Sequence, residues 1–130
     1  MKLITRLLPQ VGLCLTVVLL SGCGMGQTPH PADPEQARTT LNTVLDAWKS
    51  GATPESLEAQ SPPIRVLDLD WKDGHTLVSY RPGGEARLVG FDLNYPVVLE
   101  LKRRKGGTVK KTAVYTITTH PEILVLRQEG

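Results

Sequence analysis

One stretch of this chain repeats its apolar residues with the period of a helix, and after it that period does not return. Ala37, Leu41, Val44, Leu45 and Trp48 fall at i, i+4, i+7, i+8 and i+11, with Arg38, Asn42, Asp46 and Lys49 off the stripe. The stretch also carries its own start and stop. Asp33 suits an N-cap, Pro34 the first helical position and Glu35 the positive end of the dipole, while Gln36 completes a capping-box spacing. Gly51 stands where a left-handed C′ residue belongs. The pattern predicts a helix over 34–50. Thr53-Pro54-Glu55-Ser56 repeats the start signal, predicting a short second helix over 54–59 that Pro62-Pro63 ends. Residues 64–69 read equally as extended chain or as a single turn.

From Trp71 onward the pattern is that of strands. Residues 75–81 are β-prone and Pro82-Gly83-Gly84 turns them; 87–92 form a second run, and Asn94 and Pro96 break the chain before Val97. Residues 97–103 and 109–118 flank Gly106-Gly107 as a hairpin. If those two glycines are the whole turn, Arg103 faces Lys110 and Lys102 faces Lys111, like charges opposite each other. His120-Pro121 turns the chain again, and the apolar run 123–126 suits a central strand covered on both faces. Helices first and strands afterwards mean an α+β fold: one long N-terminal helix, with a short second one, packed on a curled antiparallel sheet of about four to five strands.

The N-terminus is an address rather than part of that fold. Lys2 and Arg6 form a short positive region, Val11 to Leu20 an apolar run, and Ser21 and Gly22 a small-residue pair. The run has about ten residues where a membrane span needs about 20. Leu20-Ser21-Gly22-Cys23 resembles the lipobox of bacterial lipoprotein precursors. That resemblance implies that Cys23 is acylated on sulfur and becomes the new N-terminus. It divides the chain into a signal peptide (1–22), a lipidated N-terminus with a Pro/Gly-rich tether (23–33) and one α+β domain (34–130). The plainer alternative is a secretory peptide cleaved after Gly22 or Gly24, with Cys23 incidental.

Cleavage before Cys23 changes what the composition implies. The full chain has 15 Lys and Arg against 13 Asp and Glu; without Lys2 and Arg6 each sign counts 13, so global charge gives no reason to expect a nucleic-acid partner. Cys14 leaves with the signal and Cys23 carries lipid, so no disulfide and no thiol nucleophile is expected in the exported domain. The covalent lipid, of the palmitate class, is the only non-protein group expected, and no cofactor or metal is.

Two further resemblances bear on the mature part. Asp46-Ala47-Trp48-Lys49-Ser50-Gly51, Thr53-Pro54-Glu55-Ser56-Leu57, Ser61-Pro62-Pro63-Ile64 and Thr119-His120-Pro121 are similar to a group of small uncharacterised bacterial lipoproteins, which brings no activity with it. A helix laid across a curled antiparallel sheet resembles the cystatin-like and NTF2-like rolls, and Leu45 to Gly51 is similar to the end of the first NTF2-like helix. The scarcity of helix after Ala59 departs from that pattern and implies a shallow or absent pocket.

Few residues invite a chemical role. His30, His75 and His120 have no ligand spacing to one another or to Cys or Glu, and read as tether and turn residues. Asp68, Asp70 and Asp73 could face a hard cation, but without EF-hand spacing they read as a solvated acidic face. Lys102, Arg103, Arg104, Lys105, Lys110 and Lys111 form the sharpest charge feature and the candidate anion contact, for phosphate headgroups or an envelope polyanion. Trp71, Tyr80, Phe91, Tyr95 and Tyr115 look scattered rather than stacked, and no G-x-S-x-G nucleophile motif occurs. The expected function is that of a membrane-anchored envelope lipoprotein, a non-enzymatic binding or structural module whose partner is an envelope protein or polyanion. An NTF2-like small-molecule binder or enzyme, with a pocket between helix and sheet, is the alternative.

Overall fold

A computed structural model describes residues 30–129 of the chain. The signal segment, Cys23 and the tether up to residue 29 lie outside the described residues. The capped stripe is a helix, α1 (Pro34–Lys49), burying Ala37, Thr40, Leu41, Val44, Leu45 and Trp48. Asp33 Oδ1 accepts from the Glu35 and Gln36 amides at 2.8 and 3.3 Å. At the other end the Gly51 and Ala52 amides donate to the Trp48 and Ala47 carbonyls, with Gly51 at φ +92°, a Schellman stop. A short helix α2 (Pro54–Glu58) follows and buries Leu57.

The strand region starts earlier than its pattern suggests, and a helix interrupts it. Residues Ile64–Leu67 are a strand, β1, and Leu69–Lys72 are one helical turn, α3. The ambiguity over 64–69 thus resolves as strand and then helix start, and Trp71 belongs to a helix rather than to the beginning of the strands. The reason is a second capped segment. Asp68 Oδ1 accepts from the Asp70 and Trp71 amides, and Gly74, at φ +91°, closes α3 with a Schellman pair from the Gly74 and His75 amides.

The remaining strands are β2 (Thr76–Pro82), β3 (Arg87–Val89), β4 (Asp92–Lys102), β5 (Thr108–Thr118) and β6 (Ile123–Arg127). All six join one sheet, curled into a half-barrel, in the order β1-β6-β5-β4-β2 with β3 also on β4. The sheet is mixed rather than wholly antiparallel, because β1 pairs with β6 in parallel. β6 lies between β1 and β5, inside the sheet, as its apolar run requires. Pro96 does not break β4 as expected. β3 pairs along Asp92 to Asn94 and β2 from Val97 onward, so Pro96 sits in the gap between two partners on that edge. Its carbonyl takes the Gly83 amide there at 2.9 Å, and its missing N–H costs no ladder bond.

Alternation along β4 and β5 builds the core. Leu93, Val97, Leu99 and Leu101 on β4 and Ala113, Tyr115 and Ile117 on β5 point inward and are buried. Val125 joins them from β6, Ile64 and Val66 from β1, and Leu77 from β2. The α1 stripe closes this face. Trp71, expected to be scattered rather than stacked, stacks on Trp48 at 5.4 Å between ring centroids with 10° between planes. Their indole N–H groups donate to the His75 and Ala52 carbonyls, which locks α1, the turn after it and α3 together. Among the described residues no helix is long and apolar enough to cross a membrane.

Candidate functional site

The inward face carries cations as well as apolar groups. Lys111 stands opposite Leu99 on β5, and Arg127 stands beside Tyr115 on β6, both on the core side of the sheet. They meet the start of α3. Asp68 is buried, and its Oδ1 accepts from the Asp70 and Trp71 amides and from Arg127 Nη1 at 3.0 Å. Its Oδ2 accepts from the Tyr115 hydroxyl at 2.5 Å. Three donors thus converge on Oδ1 and one on Oδ2, so all four hold the carboxylate from within the fold. Asp70 Oδ2 accepts from Lys111 Nζ at 2.8 Å and from Arg127 Nη1. Two carboxylates, one lysine and one arginine thus compensate each other inside one end of the core.

The protonation states follow from this arrangement. Burial by itself raises the Asp70 carboxyl, but hydrogen bonds and charge from Lys111 and Arg127 outweigh it and hold the group below its ordinary range. Burial would lower the Arg127 guanidinium, yet Asp70 and Asp68 raise it. The Tyr115 phenol is pushed well above its ordinary value by burial and then by the Asp68 charge, so it stays a donor. The acidic patch expected to be a solvated face is therefore divided. Asp68 is buried, Asp70 is half-buried against its two cations, and only Asp73 is exposed. Among the described residues no cluster of His, Cys, Asp or Glu is arranged to hold a metal ion.

The histidines also differ from isolated turn residues. His75 is half-buried: its Nδ1 accepts from the Arg104 amide at 3.0 Å, and its Nε2 stands 3.7 Å from Asp70 Oδ1. A Nδ1 that accepts puts the neutral ring's proton on Nε2, toward Asp70. His30 and His120, ninety residues apart in the chain, meet with ring centroids 4.1 Å apart.

The six basic residues of the hairpin do not form one patch. The turn is longer than Gly106-Gly107: residues 103–107 make it, closed by the Arg103 amide on the Gly107 carbonyl and the Gly106 amide on the Arg103 carbonyl. Both glycines adopt positive φ, +105° and +86°, which this tight tip requires. Lys102 consequently faces Thr108, Lys110 faces Glu100 and Lys111 faces Leu99, so no like charges stand opposite each other. Lys111 is committed to Asp70. Arg103, Arg104 and Lys105 instead join Lys72, Asp73 and His75 around a shallow cup of about 450 Å³. The stem of Arg104 lies over Gly74, where a Cβ would come within 3.0 Å of its Cδ.

A larger groove of about 680 Å³ runs beside α1, against β4 and the β2–β3 edge. Leu41, Leu45 and Val97 form its apolar floor, and Glu35, Arg38 and Asn42 line the helix side. Tyrosines bridge helix and sheet along it. Tyr95 donates to the Pro34 carbonyl at 2.9 Å, and Tyr80 to Asp46 Oδ1 at 2.7 Å. Burial and then the Asp46 carboxylate push the Tyr80 phenol up to about 12.

Sequence reading missed Tyr115 and Arg127 as partners of Asp68. One signal was present: Arg127 continues the inward alternation of Ile123 and Val125, and a cation on a core-facing position needs a buried anion. No family model, curated protein or solved structure matches the chain.

The Asp70 pairing fixes the sign of one pH effect. A carboxyl whose folded pKa lies below its ordinary 3.8 contributes stability above that pH and loses it as pH falls through the folded value. In urea unfolding followed from pH 7 to pH 3, Asp70→Asn lowers the midpoint at pH 7 and flattens the acid-side fall. A variant with the wild-type acid slope would show that the Lys111 and Arg127 contacts contribute no stability.

Proposed function

We propose that this chain is the precursor of a bacterial envelope lipoprotein, held to the membrane by lipid on Cys23, whose domain is a non-enzymatic binding or structural module of the cystatin/NTF2-like roll type. The observation that carries the anchor is the ordered set of Lys2 and Arg6, the Val11 to Leu20 run, the Ser21-Gly22 pair and Cys23. The geometry is compatible with it. Ala32, nine residues after Cys23, is buried and its amide donates to the Phe91 carbonyl at 2.8 Å. An extended tether of that length spans at most about 30 Å. Asp68 supports the non-enzymatic reading, because a buried carboxylate held by four internal donors is committed to the fold and not open to a substrate.

A second reading, favoured by the groove beside α1, makes the domain an NTF2-like small-molecule binder or enzyme. The groove exceeds the roughly 300 Å³ that a ligand site needs and combines an apolar floor with Arg38, Asn42 and Tyr80. A third reading assigns anion contact to the cup around Arg103, Arg104 and Lys105. This hairpin lies at the end of β4 opposite the tether, ten residues and about 33 Å away. The cup therefore suits an envelope polyanion beyond the domain better than the bilayer carrying the anchor.

Each reading has its own outcome. Intact-mass analysis of the mature N-terminal peptide finds acyl mass on Cys23, and Cys23→Ser loses it and moves the protein from the membrane to the aqueous fraction; unchanged fractionation overturns the anchor. Asn42→Trp fills the groove and lowers the affinity of an apolar sulfonate dye such as anilinonaphthalene sulfonate at least tenfold if the groove binds small molecules; equal titrations exclude it. Replacing Arg103, Arg104 and Lys105 by Gln removes roughly 3 kcal/mol of attraction to heparin at low salt, on the order of a hundredfold, if the cup is an anion site. Salt-independent or unchanged retention rejects that contact.

A further inference from the structure

The end of the domain where the chain joins the fold also carries an exposed apolar cluster. β3 and the turn to β4 expose Leu88, Val89 and Phe91 at 55%, 56% and 54%, values unusual for large apolar side chains clustered within four residues. Nothing in the core requires them there: β3 is a three-residue strand exposed along its whole length, pairing only through Arg87 to Val89 with Asn94 to Asp92. Gly90, at φ +66°, makes the turn, so Leu88, Val89 and Phe91 cluster around the tip of one hairpin. Ala32 donates its amide to the carbonyl of Phe91 itself. The described part of the tether at Ala32 and the apolar tip are therefore one local structure, and His30 lies close by against His120 at the β5–β6 turn.

We infer that the Leu88-Val89-Gly90-Phe91 tip is a membrane contact that inserts into the outer part of the bilayer carrying the Cys23 lipid. This rests on the anchoring reading, and it adds an orientation to it. Nine residues separate Cys23 from Ala32, so the tip is never more than about 30 Å from the lipid-bearing surface and can reach it with slack in the chain. The occupant that fits is a phospholipid bilayer. The tip is narrow and convex, presents branched and aromatic side chains, and is flanked by the exposed Arg87, which suits phosphate headgroups, while the carboxylate of Asp92, opposite Val89, accepts from the Thr118 hydroxyl. A protein partner would need a concave counterpart, whereas an interface accepts a wedge at roughly 5–10 Å depth without one. A tip held this way points β4 away from the membrane and carries the Arg103–Lys105 cup to the far side.

The test uses the full chain, expressed in a bacterial envelope and reconstituted into phosphatidylethanolamine/phosphatidylglycerol vesicles containing lipids brominated on the acyl chain. Phe91→Trp introduces one exposed indole, while the native Trp48 and Trp71 are buried and provide the background in the parent protein. The expected result is a blue-shifted emission from the introduced indole and about twofold quenching by bromines near the headgroup region, absent in the parent. Leu88→Trp repeats the measurement in case the first substitution disturbs the turn. Emission at the aqueous wavelength with no quenching in both variants overturns the inserted tip. Intact mass on the same vesicle sample reports separately on the anchor. Acylated Cys23 with unquenched indoles sinks the tip alone, and quenched indoles without acyl mass leave the tip standing and sink the anchor.

Discussion

The buried carboxylate of Asp68 is the interaction on which most of the tertiary arrangement converges. Its four donors come from three places: the first turn of α3, Tyr115 in β5 and Arg127 in β6, the last two 47 and 59 residues along the chain. A charge this deep is tolerated only when its acceptor positions are filled. Removing one partner of a buried pair commonly costs about 3–5 kcal/mol because the other charge is left uncompensated. Asp68 therefore fixes where α3 sits over the sheet. α3 in turn presents Trp71 to Trp48, and through that stack it sets the C-terminal half of α1.

The same network depends on the register of the β4–β5 hairpin. A two-residue turn at Gly106-Gly107 would pair Lys102 with Lys111 and put both on the outer face. The five-residue connection pairs Lys102 with Thr108, a slip of three positions, and an odd slip moves every β5 side chain to the opposite face. Lys111 thereby turns inward to Asp70, and Ala113, Tyr115 and Ile117 become core. The turn chemistry at 103–107 is thus coupled to core composition, and the electrostatic repulsion of the shorter turn disappears together with the wrong packing.

These constraints give the domain two unlike ends. At one end are the tether, the apolar tip at Phe91 and the His30–His120 contact; at the other are Lys72 and the Arg103 to Lys105 cations. The groove beside α1 lies between them, with Leu41 and Leu45 as its floor and not as an open hole. On the proposed anchoring, this polarity would turn the hydrophobic end toward the membrane and the charged end outward.

Local rules determined what could be read from the sequence alone. The caps at Asp33 and Gly51, the stripe from Ala37 to Trp48, the start at Pro54 and the inner strand at 123–126 depend on neighbours a few residues away, and their residues carry the signal directly. α3 was equally local, with Asp68 and Gly74 as its caps, but a single turn is too short to show a period. What only the tertiary structure decided depends on distant partners. The parallel pairing of β1 with β6, the hand-over of β4 between β3 and β2 at Pro96, the hairpin register, the burial of Asp68 and its network with Asp70, Lys111 and Arg127 all require a second segment to be in place. A charged residue looks the same in sequence whether it faces water or an opposite charge, and only the packed chain distinguishes the two.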